Sequence, residues 1–215
     1  MKIMSLNVGQ PREVSWQGKT TQTGIFKSPV EGPVNVSYLG LDGDGQADMK
    51  NHGGLDKAVF AYPYEHYAFW RGELKRDDLT DGIFGENLTT EGALEDEICI
   101  GDRFESEVKD GPVFEVSQPR GPCFKLGIRL NDASIVKRYH ESLRVGFYLR
   151  VIKEGSLKPG DRFRHEGYEG ESISVRDLYQ LVKHRSGAED ELRRVHCLPA
   201  LAAAWKREIE KGLKM

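Results

Sequence analysis

The segment Ile100-Gly101-Asp102-Arg103-Phe104-Glu105 returns almost letter for letter as Pro159-Gly160-Asp161-Arg162-Phe163-Arg164. Each copy is a Gly-Asp turn delivering a strand that starts with an aromatic residue, and the pair reads as two equivalent corners of one β-barrel. Short β-type runs lie around them, at Lys2 to Val8, Val34 to Leu39, Ala58 to Tyr62, Val113 to Ser117 and Phe147 to Ile152. The expected fold is therefore mainly β. Helical interludes at Tyr64 to Glu73 and Asp132 to Ser142 are expected to plug or cover the barrel as peripheral helices.

Composition sets limits on this reading. The chain has 215 residues, 38% hydrophobic and 30% charged, enough for one substantial core and a small second one. Its 24 Gly and 9 Pro follow no period, so they mark turns rather than low complexity. Of the 24 Gly, 22 precede residue 172, and Pro199 alone of the 9 Pro follows it. That change places a boundary near Gly167 to Gly170, giving a barrel domain over 1–168, with its core from about 25 to 165, and a small three-helix domain over 169–215. In the second unit Ser174 is a cap for an apolar stripe of Val175, Leu178, Leu181 and Val182. Asp190 to His196 and Leu198 to Lys211 supply two more helices, the last with Pro199 in its first turn.

The net charge is -3 and the Lys and Arg residues are scattered, which excludes an electrostatic footprint for nucleic acid and a polybasic membrane anchor. Leu198 to Trp205 is far too short to span a membrane, and Met1 to Val8 lacks the apolar centre of a signal peptide, so a cytoplasmic address is expected. Cys99, Cys123 and Cys197 form no CxxC pair, which argues against a disulfide framework or a cysteine-rich metal cage. Several familiar motifs fail. Gly18-Lys19-Thr20 lacks the first glycine of a phosphate loop, where Glu13 stands; Gly43-x-Gly45 is followed by Asp48 rather than a small residue; and Asp42 with Asp44 begins a calcium loop that Ala47 and Gly53 do not complete.

Chemistry-bearing residues concentrate in three places. In Val116 to Leu126, VSQPRGPCFKL, a strand meets a turn stiffened by Pro119 and Pro122, which presents Cys123 beside Arg120 and Lys125. Cationic neighbours favour the thiolate, the form that attacks or ligates; a buried structural thiol stands as an equal reading of the same residues. Cys99, between Ile98 and Ile100, and Cys197 in the tail read as structural. In Asp48 to Ala58 the run His52-Gly53-Gly54 admits close backbone approach, with Asp56 and Lys57 at the entrance to an apolar strand, where a plain surface turn is the competing reading. In Phe84 to Thr89, Asn87 offers a donor and an acceptor suited to a heterocycle edge. Tyr62, Tyr64, Tyr67 and Trp70 at helical spacing suit a core better than an aromatic wall for a ligand.

Taken in order, IFKSPVEGPV, GLDGDGQADMKNHGGLDKAVFAYPYEHYAFW, IFGENLT, IGDRF and VSQPRGPCFKL resemble the MOSC family, named after the C-terminal part of molybdenum cofactor sulfurase, and in particular its small stand-alone YiiM-like branch with a C-terminal 3-alpha domain. The resemblance covers nearly the whole chain. It implies a MOSC-type β-barrel holding a molybdopterin-type molybdenum cofactor, with Cys123 as the protein ligand to the metal and as the catalytic residue. By position it implies cofactor contacts from Lys27, Ser28, His52, Lys57, Asn87, Thr89 and Arg120. It further implies a molybdenum-dependent reductase of small N-hydroxylated compounds, of the kind that detoxifies N-hydroxylaminopurine base analogues. The chain has no dinucleotide fingerprint, no cluster of cysteine ligands and no haem-attachment motif, so electrons are expected from a separate reductase. The expected partners are thus the small substrate and that reductase, with no stable nucleic acid and no membrane, and a homodimer is compatible. The alternative is a sulfur or molybdenum-cofactor carrier that uses Cys123 without turnover of its own.

Overall fold

The computed structural model describes residues 1–48, 53–184 and 188–213. The N-terminal half contains β1 (Lys2–Val8), β2 (Arg12–Trp16), β3 (Lys19–Thr23), β4 (Ser28–Pro29), β5 (Val34–Ser37), β6 (Gly40–Leu41), a 3-10 turn (Leu55–Lys57), β7 (Val59–Pro63), α1 (His66–Leu74) and β8 (Leu88–Glu91). There follow β9 (Arg103–Ser106), β10 (Val113–Pro119), α2 (Phe124–Leu130), α3 (Ile135–Ser142), β11 (Phe147–Lys153), β12 (Gly155–Leu157) and β13 (Phe163–Glu166). The C-terminal helices are α4 (Val175–Lys183), α5 (Glu189–His196) and α6 (Ala203–Leu213).

One sheet of eight strands carries the fold, in the order β13-β9-β10-β11-β7-β8-β1-β4, and only the β7–β8 pair is parallel. A second sheet, β12-β5-β6, and the β2–β3 hairpin stand beside it. The large sheet is not closed into a continuous barrel, since β13 and β4 are its ends. Its curl still carries β13 back to the start of β1. An isolated bridge joins Lys2 to Arg162, and Ile3 exchanges backbone hydrogen bonds with Asp161 O (2.9 Å) and Gly160 N (2.8 Å). Helices and strands share the chain, so the mainly β expectation gives way to a mixed, sheet-rich architecture with peripheral helices.

The repeated segment resolves into two neighbouring strands, β9 and β13, paired antiparallel with Arg164 opposite Glu105. The turns before them have the same construction. Gly101 and Gly160 sit at φ 95° and 92°, a region open to glycine because it lacks a Cβ. Each Asp carboxylate accepts the backbone N–H three residues earlier, Cys99 N at 2.9 Å for Asp102 and Lys158 N at 2.8 Å for Asp161. Each turn then delivers a buried phenylalanine, Phe104 or Phe163, to the core.

One helix lies where the sequence reading expected none in particular, and one helical expectation needs correction. The residues after Cys123 form α2, although Gly127 within it disfavours a helix. Its glycine fits a tight approach, because a Cβ there would lie 3.1 Å from Asp132 O. The last helix begins at Ala203 rather than near Pro199. The five residues before it are held as a turn, with Leu198 and Leu201 buried and Ala202 N donating to Ser117 O (3.0 Å), so docking on β10 outcompetes helix extension. Ser174 does cap α4, accepting from Asp177 N at 3.0 Å. Tyr62, Tyr67 and Trp70 are fully buried with Phe84 and Tyr139, and the Trp70 and Tyr139 rings stack 5.6 Å apart; they are core. Among the described residues no helix is long and apolar enough to cross a membrane.

Candidate cofactor site

Strand β10 pairs with β11 so that Gln118 faces Tyr148 and Pro119 faces Phe147, with a register shift between Val116 and Gln118. Such a bulge re-aims the residues that follow. It leaves Ser117 Oγ within hydrogen-bond distance of Asp56 O (2.6 Å) and Tyr148 O (3.0 Å), tying the strand to the 3-10 turn. Arg120 N then donates to Gly146 O (3.1 Å), which fixes the start of the Arg120-Gly121-Pro122-Cys123 link. Cys123 is extended, at φ -134° and ψ 172°, immediately before α2.

The half-buried Cys123 lines a cavity of about 90 Å³. Four cations, Lys27, Lys57, Arg120 and Lys125, share its wall with a single carboxylate, Asp44. The Lys27 ammonium pairs with Asp44, which also accepts from Gly9 N (2.9 Å) and Asn87 Nδ2 (2.9 Å). Burial pulls the Lys27 pKa down despite that partner, and Lys57 is lowered too, by burial first and then by Arg207. Both ammonium groups are therefore under-compensated, and an anion in the cavity relieves them.

Arg120 is 6% exposed. Its Nη2 donates to Phe84 O (3.3 Å) and its guanidinium lies 5.1 Å from the Phe60 ring centroid and 5.0 Å from that of Tyr139. Among the described residues Nη1 meets no acceptor. A buried guanidinium N–H left unpaired is costly, and a phosphate or other anion is its natural complement. One side of the pocket is glycine by necessity: a Cβ on Gly24 would stand 2.3 Å from Gly45 O.

The structure brings Cys123, Arg120, Lys57, Asn87 and Lys27 to one cavity. Asn87 is nonetheless fully engaged, its Oδ1 accepting Phe60 N (3.0 Å) and its Nδ2 donating to Asp44 and to Asn7 O (3.3 Å), so it builds the wall instead of reading a ligand edge. Thr89 does not line the cavity; it is buried, donating to Glu86 Oε1 (3.1 Å) and accepting Asn7 Nδ2 (3.1 Å). Ser28 opens β4, whose two residues are both exposed, so it does not join its buried neighbour Lys27 at the cavity. His52 lies outside the described residues. Asp44 and Tyr148 are site residues that sequence reading passed over. The Asp42-x-Asp44 spacing was the available signal for Asp44, and it pointed to calcium.

The donor set suits a metal group that carries its own ligands. Among the described residues no three His, Cys, Asp or Glu side chains gather into a cage, whereas one soft sulfur ringed by cations matches an anionic metal complex needing a single protein ligand. The MOSC domain profile matches residues 48–164. This chain belongs to the MOSC family. It is 38% identical over 97% of its length to the uncharacterized protein YflK of Bacillus subtilis, covering 93% of that protein. It is 37% identical over 74% of its length to a Gibberella moniliformis protein described as a reductase, of which it covers 28%. The crystal structure of YiiM from Geobacillus stearothermophilus matches with a TM-score of 0.82 and 31% identity, over 99% of this chain and 98% of that one. The MOSC chain therefore falls in the YiiM-like branch. The matched profile contains Lys57, Asn87, Arg120 and Cys123, while Lys27 of the same MOSC cavity lies before it.

Proposed function

We propose that this MOSC protein holds a molybdopterin-type molybdenum cofactor at Cys123 and reduces small N-hydroxylated compounds, such as N-hydroxylaminopurine-type bases, in the cytoplasm, with electrons from a separate reductase protein. The observation that carries the reading is the single cavity thiol among four cations, one of which, Arg120, has a buried N–H that meets no acceptor among the described residues. The bound cofactor supplies the two-electron chemistry that converts R–NHOH, two electrons and two protons into R–NH2 and water.

The chain's own residues bind, orient and neutralise. Cys123 Sγ is the protein ligand to molybdenum, a soft donor that metal coordination keeps deprotonated. Arg120, Lys27 and Lys57 offset the negative charge of the pterin phosphate, and Asp44 holds Lys27 in place. Residues 1–168 form the cofactor unit in this reading, and the helical unit 169–215 flanks it.

Metal and cofactor analysis of protein expressed where molybdenum cofactor is made tests the proposal, together with an N–OH reduction assay. The expected result is stoichiometric molybdenum and turnover that depends on an added reductase. Loaded protein that releases its cofactor to another enzyme, or carries a persulfide on Cys123, without reducing any N–OH substrate, would replace the reductase by a carrier.

A further inference from the structure

Two carboxylates, Glu86 and Glu95, have no exposed surface at all, each at 0%. Burying a carboxylate is costly unless its surroundings compensate it, and neither of these lines the Cys123 cavity. Their hydrogen bonds nonetheless converge on one cavity residue. Glu95 Oε1 accepts Gly146 N (2.7 Å), and Gly146 O accepts Arg120 N (3.1 Å). Glu86 Oε2 accepts Phe84 N (3.0 Å), and Phe84 O accepts Arg120 Nη2 (3.3 Å). Both carbonyls that anchor Arg120 therefore belong to residues whose own N–H is held by a buried carboxylate.

The carboxylates are themselves fixed. Glu95 Oε2 meets His66 Nε2 at 2.6 Å. Glu86 Oε1 accepts Gly82 N (2.9 Å), the Thr89 hydroxyl (3.1 Å) and the Tyr67 hydroxyl. Gly146, at φ 63°, has no side chain to set its peptide, and a Cβ there would stand 2.6 Å from Ala61 O, so Glu95 sets it instead. The Tyr139 ring feels all three charges. The Arg120 guanidinium lies 5.0 Å from its centroid, and the Tyr139 pKa, raised by burial, is drawn down by Arg120 and pushed up further by Glu95 and Glu86.

We propose that Glu86 and Glu95 are positioning residues for an anion in the Cys123 cavity: they hold the Phe84 and Gly146 backbone, and through those two carbonyls the Arg120 side chain, in the pose that meets the anion. The inference deepens the function proposed above and rests on one part of it, an anion bound by Arg120. The sign of the effect separates positioning from plain electrostatics. A buried negative charge near the cavity opposes an anion, so removing that charge would by itself strengthen binding. Positioning requires the opposite.

Sulfate binding to the cofactor-free full chain, read from the Gly121 amide resonance, tests this without turnover. Glu95→Met strands Gly146 N and should weaken sulfate about fivefold. Glu95→Gln keeps an acceptor oxygen for Gly146 N and an N–H for a ring nitrogen of His66, so it should restore the wild-type affinity or exceed it. Glu86→Gln must turn its NH2 against Gly82 N or Phe84 N and should weaken sulfate by a similar factor. Arg120→Met should itself bind sulfate more weakly than wild type, and none of the three substitutions should weaken it further. If Glu95→Met does not fold, Glu86→Gln against Glu95→Gln decides. Losses that persist undiminished in Arg120→Met, affinity unchanged or raised in Glu86→Gln and Glu95→Met, or a Glu95→Gln as weak as Glu95→Met overturns the assignment. So does an Arg120→Met that binds as tightly as wild type, or a wild type that binds no sulfate. A loaded enzyme that reduces no N–OH compound while the Arg120-dependent losses remain sinks the reductase reading alone. An active enzyme without those losses sinks this inference alone.

Discussion

The Gly-Asp turns at Gly101-Asp102 and Gly160-Asp161 and the turn from Gln118 to Cys123 use similar ingredients, glycine with polar and charged residues at the end of a strand. They differ in hydrogen-bond accounting. Asp102 accepts from Cys99 N (2.9 Å), Tyr168 N (2.8 Å) and His165 Nε2 (2.7 Å), and Asp161 from Lys158 N (2.8 Å), so the polar atoms of these turns are spent on the fold. Between Gln118 and Cys123, by contrast, Gln118 Oε1 and Arg120 Nη1 are buried and, among the described residues, unspent. Repetition with satisfied groups marks a scaffold, and an unrepeated turn with groups left over marks a site.

The largest effect that can break this contrast is at Cys123. Cys123→Ser in cofactor-loaded protein should lower N–OH reduction by at least about a thousandfold, since ligand loss exceeds the roughly 10–100-fold cost of disturbing outer-sphere partners. Without cofactor, its unfolding free energy should stay within about 0.5 kcal/mol of wild type. Retained activity would remove the sulfur from the mechanism. The scaffold turns should behave the opposite way. Asp102→Ala strands two backbone N–H groups and should cost about 2–4 kcal/mol in urea unfolding, while Asp161→Ala, which strands one, should cost about 1–2 kcal/mol. His165 adds little to the first figure because its side chain is 39% exposed. Neither substitution should change cofactor content per folded chain. Equal costs at the two positions would show that the turns are interchangeable despite their different partners.

Sequence made the scaffold legible because turn chemistry is local: a glycine that can take positive φ and an aspartate that reaches back three residues are written side by side. The Cys123 turn was legible for the same reason, through its two prolines. The rest of the site was hidden by distance along the chain. Asp44 acquires its role from Lys27 and Asn87, 17 and 43 positions away. Nearness also misled. Ser28 follows a cavity lysine yet faces out, and Thr89 sits two residues past Asn87, but Asn87 precedes β8, so the two-residue alternation of a strand does not relate them.

The smallest expected effect concerns the lysines that set the cavity's charge. Lys27 and Lys57 have pKa values below the ordinary lysine value of about 10.4, through burial. An anion binds their protonated forms, so affinity is fully present below the lowered pKa and is lost as pH rises through it. Sulfate, which keeps its charge across this range and stands in for the cofactor's phosphate, should therefore begin to bind more weakly as pH rises at a lower pH than ordinary lysines would set. Asp44 is the counter-charge that holds the Lys27 pKa up against desolvation. Asp44→Asn should consequently shift the onset of weakening to lower pH, and Lys27→Met should shrink the pH dependence without abolishing it, because Lys57 remains. A profile that is flat in all three proteins would mean that neither lysine touches the anion, and the positive character of the Cys123 cavity would then rest on Arg120 and Lys125.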